Sequence, residues 1–177
     1  MPLLESMKLL TLLLVLAIFL PFVVSASPGS IMTGPYNVSF DLNTTKNLVN
    51  QPQYSDSRKS SDGGSVVFYG LGIIDSGVPD EAARAKISIY EYNATIQSSL
   101  EHRAEQAAKT FHIIDRVVTM DYRTIDGNPG YVVKGVNKNG RIEYSAGYQI
   151  GKQIEVTFVG ALPEIKSLID TIHIEKL

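Results

Sequence analysis

The chain has 177 residues, a net charge of −2, 44% hydrophobic residues, and neither cysteine nor tryptophan. That length fits one domain, and the weak, unpatterned acidity excludes a nucleic-acid binder, which needs a basic patch. Without cysteine there is no disulfide framework and no lipid-modified cysteine, so the fold must hold by packing alone.

The first element is a leader. Met1–Lys8 carries charge, the run Leu9–Val24 is apolar apart from Thr11 and Pro21, and Val24-Ser25-Ala26 offers small residues for cleavage after Ala26. Residues 1–26 therefore read as a secretory signal, with Met7 as an alternative start. The competing reading is an uncleaved anchor over residues 9–24, although a spanning helix wants about 20 apolar residues. Either way the product is secreted or extracytoplasmic, in the cell envelope. Residues 27–35 read as a short polar leader, and 36–177 as a single domain.

Tyr36–Leu42 alternates, placing Tyr36, Val38, Phe40 and Leu42 on one face of a strand. Asn43–Gly64 is polar and reads as a partly ordered surface loop. Ser65–Ile74 is a strand. Its Gly70-Leu71-Gly72 lacks the third glycine and the helix start of a dinucleotide fingerprint, so a bulge or close packing explains it. Lys86–Asn93 is another strand, with Ile87 and Ile89 opposite Tyr90 and Tyr92.

The period then changes. Thr95 caps a predicted helix reaching Phe111, whose stripe is Ile96, Leu100, Ala104, Ala107 and Phe111. The stripe is narrow and rich in alanine, so the helix should lie close to a sheet. Ile113–Thr124 is a strand, and Asp126–Gly130 a turn. Asn139-Gly140 predicts a two-residue hairpin turn that sets Val133 opposite Ala146 and Tyr131 opposite Tyr148. Tyr131, Val133, Ile142, Tyr144, Ala146 and Tyr148 would then share a face, with Lys134, Glu143, Ser145 and Gln149 on the other. For Ile154, Val156 and Phe158 to stay in phase, the loop at Gly151 must have odd length or a bulge. Pro163 opens a short helix with Ile165, Leu168, Ile169 and Ile172 on one side, and an extended tail, His173–Leu177, follows. The expected class is α+β, an antiparallel sheet packed by helices.

Chemistry is sparse. The histidines are His102, His112 and His173, and no metalloprotease, phosphate-loop, calcium-loop or serine-elbow pattern occurs. Glu101, His102 and Glu105 within one turn, or His173 with Glu175, have metal-ligand types but read as solvated faces. Asp115, Asp121 and Asp126 read as strand-edge and turn residues, and the nine tyrosines as packing residues, with an aromatic cleft as the alternative. The expectation is no catalytic residue, no cofactor and no metal. Asn37, Asn43 and Asn93 head N-glycosylation sequons.

The stretch Thr124-Ile125-Asp126-Gly127-Asn128-Pro129-Gly130-Tyr131, then Tyr148-Gln149-Ile150-Gly151 and Leu168–Ile174, resembles the PsbP-like family. That resemblance implies an α/β/α layered sandwich without catalytic apparatus, in proteins that dock onto larger assemblies. The function expected is a non-catalytic exported domain that binds a protein partner or envelope component, through the polar loop and the outer sheet face. The alternatives are a carrier of a small apolar ligand, held between the long helix and the sheet, and a hydrolase built on one of the histidines.

Overall fold

The computed structural model describes residues 29–41, 48–59, 64–75, 85–110, 114–137, 139–160 and 165–177. The signal segment and cleavage point expected from the sequence lie outside them, as do Asn43, His112 and Pro163. In chain order the elements are β1 (Gly29–Thr33), β2 (Tyr36–Phe40), β3 (Leu48–Lys59), β4 (Ser65–Asp75), β5 (Ala85–Tyr92), α1 (Leu100–Thr110) and β6 (Ile114–Ile125). There follow β7 (Asn128–Asn137), β8 (Ile142–Ile150), β9 (Ile154–Gly160), α2 (Ile165–Thr171) and β10 (His173–Lys176). Among the described residues these strands form a seven-stranded sheet, β3-β4-β5-β9-β8-β7-β6, and a three-stranded sheet, β1-β2-β10. Every pairing is antiparallel.

A helix-packed α+β sandwich is therefore the wrong class. The chain is mostly antiparallel strand in two sheets, with two short helices. Three local causes account for the error. Residues 48–59, expected as loop, form β3, because backbone pairing with β4 holds an edge strand without a hydrophobic pattern. Residues 29–33 pair with β2 instead of trailing as leader, and β10 pairs with its other side. The predicted long helix starts only at Leu100. Ser99, not Thr95, caps it, its Oγ accepting the His102 N–H at 3.2 Å, while the Ile96 N–H is given to the Lys152 carbonyl.

The main core lies between the two sheets. Alternation on β2 buries Tyr36, Val38 and Phe40 against Leu71, Ile73, Ile87, Ile89, Val156 and Phe158 of the large sheet. Ile165, Leu168, Ile169 and Ile172 close one side from α2, at the helical spacing read from the sequence. On the opposite face of the large sheet, Ala104 of α1 is fully buried on Tyr131 and Val133, so the alanine stripe does bring that helix close.

The β7–β8 hairpin corrects a register. Asn137 accepts the N–H groups of Asn139 and Arg141 at its side-chain oxygen, both at 2.9 Å, and its own N–H is bonded to the Arg141 carbonyl. Gly140 sits at φ +75° and donates to the Asn137 carbonyl. The loop thus spans three residues rather than two, and every pair moves by one: Val132 faces Ala146, and Tyr131 faces Gly147. A slip of one residue reverses faces. Tyr131 and Val133 accordingly turn to α1 with Glu143, Ser145 and Gln149, whereas Lys134 joins Tyr144, Ala146 and Tyr148. The β8–β9 connection is the odd-length loop expected, with Ile150 opposite Ile154 across residues 151–153.

The β1–β2 turn has a close approach. At Gly34 (φ +59°) a Cβ would fall 2.2 Å from Tyr69 Cδ1, and the Tyr69 ring is itself set edge-on to Tyr36 at 5.4 Å. Gly34→Ala should destabilise by about 1–3 kcal/mol, through the positive φ and the displaced ring. An unchanged urea midpoint would contradict this.

Candidate functional site

Strand β6 is an outer strand of the large sheet, and beside it lies an open groove of about 220 Å³. Its floor is Val132 of β7 and Tyr144 of β8, its wall is Ile169 and Lys166 of α2, and its outer rim is Thr119, Asp121 and Arg123 of β6, with Lys134 of β7 at the base. The groove exists because α2 covers the inter-sheet core but stops short of β6, leaving the face of β6 and β7 uncovered. Arg123 is held by the Asp170 carboxylate of α2. No carboxylate pairs with Lys134 or Lys166 among the described residues, so the groove carries uncompensated positive charge in a chain that is acidic overall. Along β6, Val117, Val118 and Tyr122 are 40%, 47% and 50% exposed, and Tyr122, opposite Tyr131, stands on the α1 face rather than over the groove.

The second cluster is built on Asp126, read from the sequence as a turn residue. It occupies the tight β6–β7 turn at φ +50°. Its Oδ1 accepts from His173 Nδ1 at 2.8 Å, and its Oδ2 accepts from the Tyr148 hydroxyl at 3.0 Å and the Ile174 N–H at 3.1 Å. Tyr148 is fully buried, and burial, then the Asp126 charge, pushes its phenol far above the usual range. The β10 strand is secured again at its far end, where Lys176 meets Glu91 and holds that carboxyl below the usual carboxylate range. Glu91 also accepts the Tyr36 hydroxyl at 2.9 Å.

His173 thus has a carboxylate beside it, as a hydrolase would need, but its side chain is 64% exposed rather than set in a cleft. Both Asp126 oxygens are already committed to the last strand. Hydrogen bonding from Asp126 raises the His173 pKa above its ordinary 6.5, with the Asp126 charge next. A folded-state pKa above the unfolded one stabilises below the unfolded value and is lost as pH rises through the folded value. The stability advantage of wild type over His173→Gln should therefore be present at pH 5.5 and shrink by pH 8.5. Equal differences at both pH values would rule out this pairing.

The other sequence candidates are dispersed. Glu101, His102 and Glu105 stand exposed on α1, where Glu105 pairs with Lys109 at 3.9 Å. Glu175 is exposed on β10, Asp115 falls at a register shift in β6, and Asp121 lines the groove. Asn37 is half-buried and accepts the Ser30 hydroxyl at 2.6 Å. Asn93 is exposed and accepts the Ser65 N–H at 2.9 Å. Gly70 lies within regular β4–β5 pairing, and its carbonyl accepts the Thr33 hydroxyl at 3.0 Å. No group of three metal-ligating side chains occurs among the described residues, and no described helix is long and apolar enough to cross a membrane.

Sequence reading missed the groove lysines and the buried Arg103. The first miss followed from the one-residue slip, which put Lys134 on the wrong face. The second was detectable: Arg103 lies three residues after Leu100 and four before Ala107, inside the apolar stripe.

The class defined here is a two-sheet antiparallel β domain with a shallow basic groove at one sheet edge. Comparison with protein-family models, curated proteins and solved structures returns no match.

Proposed function

We propose that this is a non-catalytic exported domain that binds a protein partner or cell-envelope component, and that β6 with its groove is the binding surface. The observation that carries this reading is the coincidence of an outer strand bearing exposed Val117, Val118 and Tyr122 with a groove whose lysines meet no carboxylate partner among the described residues. An edge strand with free backbone groups is a ready template for a partner's backbone. Small-molecule pockets usually exceed about 300 Å³ and enclose the ligand, so an open groove of 220 Å³ suits one or two side chains of a larger partner better than a whole carried ligand. It also lies on the sheet face away from α1, not between the long helix and the sheet. Docking onto a larger assembly is what the PsbP-like resemblance of residues 124–131 implies, and the apolar leader supports an extracytoplasmic location.

The test is capture from native envelope with the tagged full chain. Tyr122→Glu, within β6, should abolish capture, whereas Gln106→Glu, adding the same charge on exposed α1, should leave it intact. Capture insensitive to Tyr122→Glu would overturn the assignment of the surface. No specific capture by wild type would overturn the binding reading itself.

A further inference from the structure

From the same surface we infer the chemistry of the occupant: an extended, acidic segment of another protein, added as a strand to β6 with alternate carboxylates reaching the groove lysines. This rests on the binding reading above and deepens it.

Three observations converge. First, from Thr119 to Ile125 the β6 register on β7 runs without a shift, whereas the irregularities are confined to residues 114–119. Bulges blunt an edge against pairing, so the regular seven-residue stretch is the part open to a new strand. Second, Thr119, Asp121 and Arg123 alternate along this stretch and all line the groove. A strand laid outside β6 would aim every second side chain over the same rim. Third, the charge inside is unbalanced. Arg123 is already neutralised by Asp170, while Lys134 and Lys166 are paired with no carboxylate among the described residues, and Asp121 alone offsets them.

A second β6 is a poorer occupant, because it would bring Arg116 and Arg123 of another copy to an already basic rim. A basic segment would leave both lysines unpaired and add like charge. The side chains between the carboxylates point to the opposite face, beside Met120 and the exposed Tyr122 on the α1 side of β6. The partner segment therefore alternates acid with apolar or neutral residues, rather than being a run of acids.

The probe is a fluorescent peptide of about nine residues, the length of an ordinary strand, alternating glutamate and valine. Its comparators are an alternating lysine and valine peptide and a glutamate–valine peptide with proline at alternate valines. Polarisation with the purified full chain should show the acidic peptide binding at least about tenfold tighter than the basic one. Binding should weaken with salt and shift the amide resonances of residues 119–125. The proline peptide cannot donate the backbone bonds of a strand and should bind poorly. Lys166→Glu, on an exposed face of α2, should remove the preference for acid even if Lys134→Glu proves unable to fold.

Equal affinity for acidic and basic peptides would overturn the inference, as would proline-peptide binding as tight as the parent's. A concentration-dependent dimer whose formation Tyr122→Glu abolishes would assign the edge to a second copy instead, and also overturn it. Envelope capture that depends on Tyr122 but ignores Lys166→Glu would sink the acidic segment and leave the binding reading standing. Capture that ignores both would sink the two together.

Discussion

Asp126→Ala is expected to cost about 3–5 kcal/mol, measured as the loss in unfolding free energy from urea titration. Three effects combine. The Tyr148 hydroxyl, on a side chain with no exposed surface, loses its acceptor, at about 1–3 kcal/mol for a buried unsatisfied group. The Ile174 N–H loses its acceptor as well, which loosens β10 where it leaves α2. Alanine must also hold φ +50°, which costs about 1 kcal/mol more than in a residue suited to that region. Asp126→Asn separates the contributions: asparagine tolerates the backbone and keeps an oxygen, so it should lose less than alanine. Tyr148→Phe removes the donor without stranding it, and in the Asp126→Ala background should recover part of the loss. A loss below about 1 kcal/mol for Asp126→Ala would show that the turn does not anchor the last strand.

The second large effect concerns the ion pair beneath α1. Arg103 is 9% exposed and its Nη1 lies 3.6 Å from Glu155 Oε1, with Nε and Nη1 finding no hydrogen-bond partner among the described residues. Glu155 is better satisfied, since it also accepts the Tyr92 hydroxyl at 3.2 Å. Removing one member of a buried pair strands the other charge, so Glu155→Ala should destabilise by about 3 kcal/mol. Replacing both members acts differently. Arg103→Met restores the apolar stripe of α1 and deletes the unsatisfied donors, and with Glu155→Gln beside it no charge is left stranded. The double variant should fall within about 1 kcal/mol of wild type, whereas Arg103→Met alone strands Glu155 and costs more. A double variant as damaged as Glu155→Ala would make the pair a net source of stability. Urea midpoints of the single variants and the double variant decide between these outcomes.

Much of the domain was legible wherever one side of an element is buried and the other wet. Tyr36, Val38 and Phe40, the β4 and β5 strands, the α2 stripe and the three-residue loop at 151–153 follow from periodicity and phase matching. Strand β3 was not legible, because a polar edge strand is held by backbone bonds that carry no side-chain pattern. The hairpin at Asn139-Gly140 was legible as a hairpin but not in its register. The Asn137 side chain selects a three-residue loop by accepting two backbone N–H groups, and apolar residues lie on both faces of the hairpin, so neither hydrophobic pattern vetoed the slip.

The sequence by itself determined which segments alternate, where the chain must turn, and that no familiar catalytic motif is written in it. Those properties depend on neighbours a few residues apart, through backbone geometry and the pairing of polar and apolar faces. Only the tertiary structure decided that a second sheet, rather than helices, covers most of the core. It alone joined Asp126 to Tyr148 and His173, and Lys134 to Lys166 beside β6. Those partners are 22, 47 and 32 residues apart in the chain, and a shift of one residue in strand register would have sent Lys134 to the opposite face.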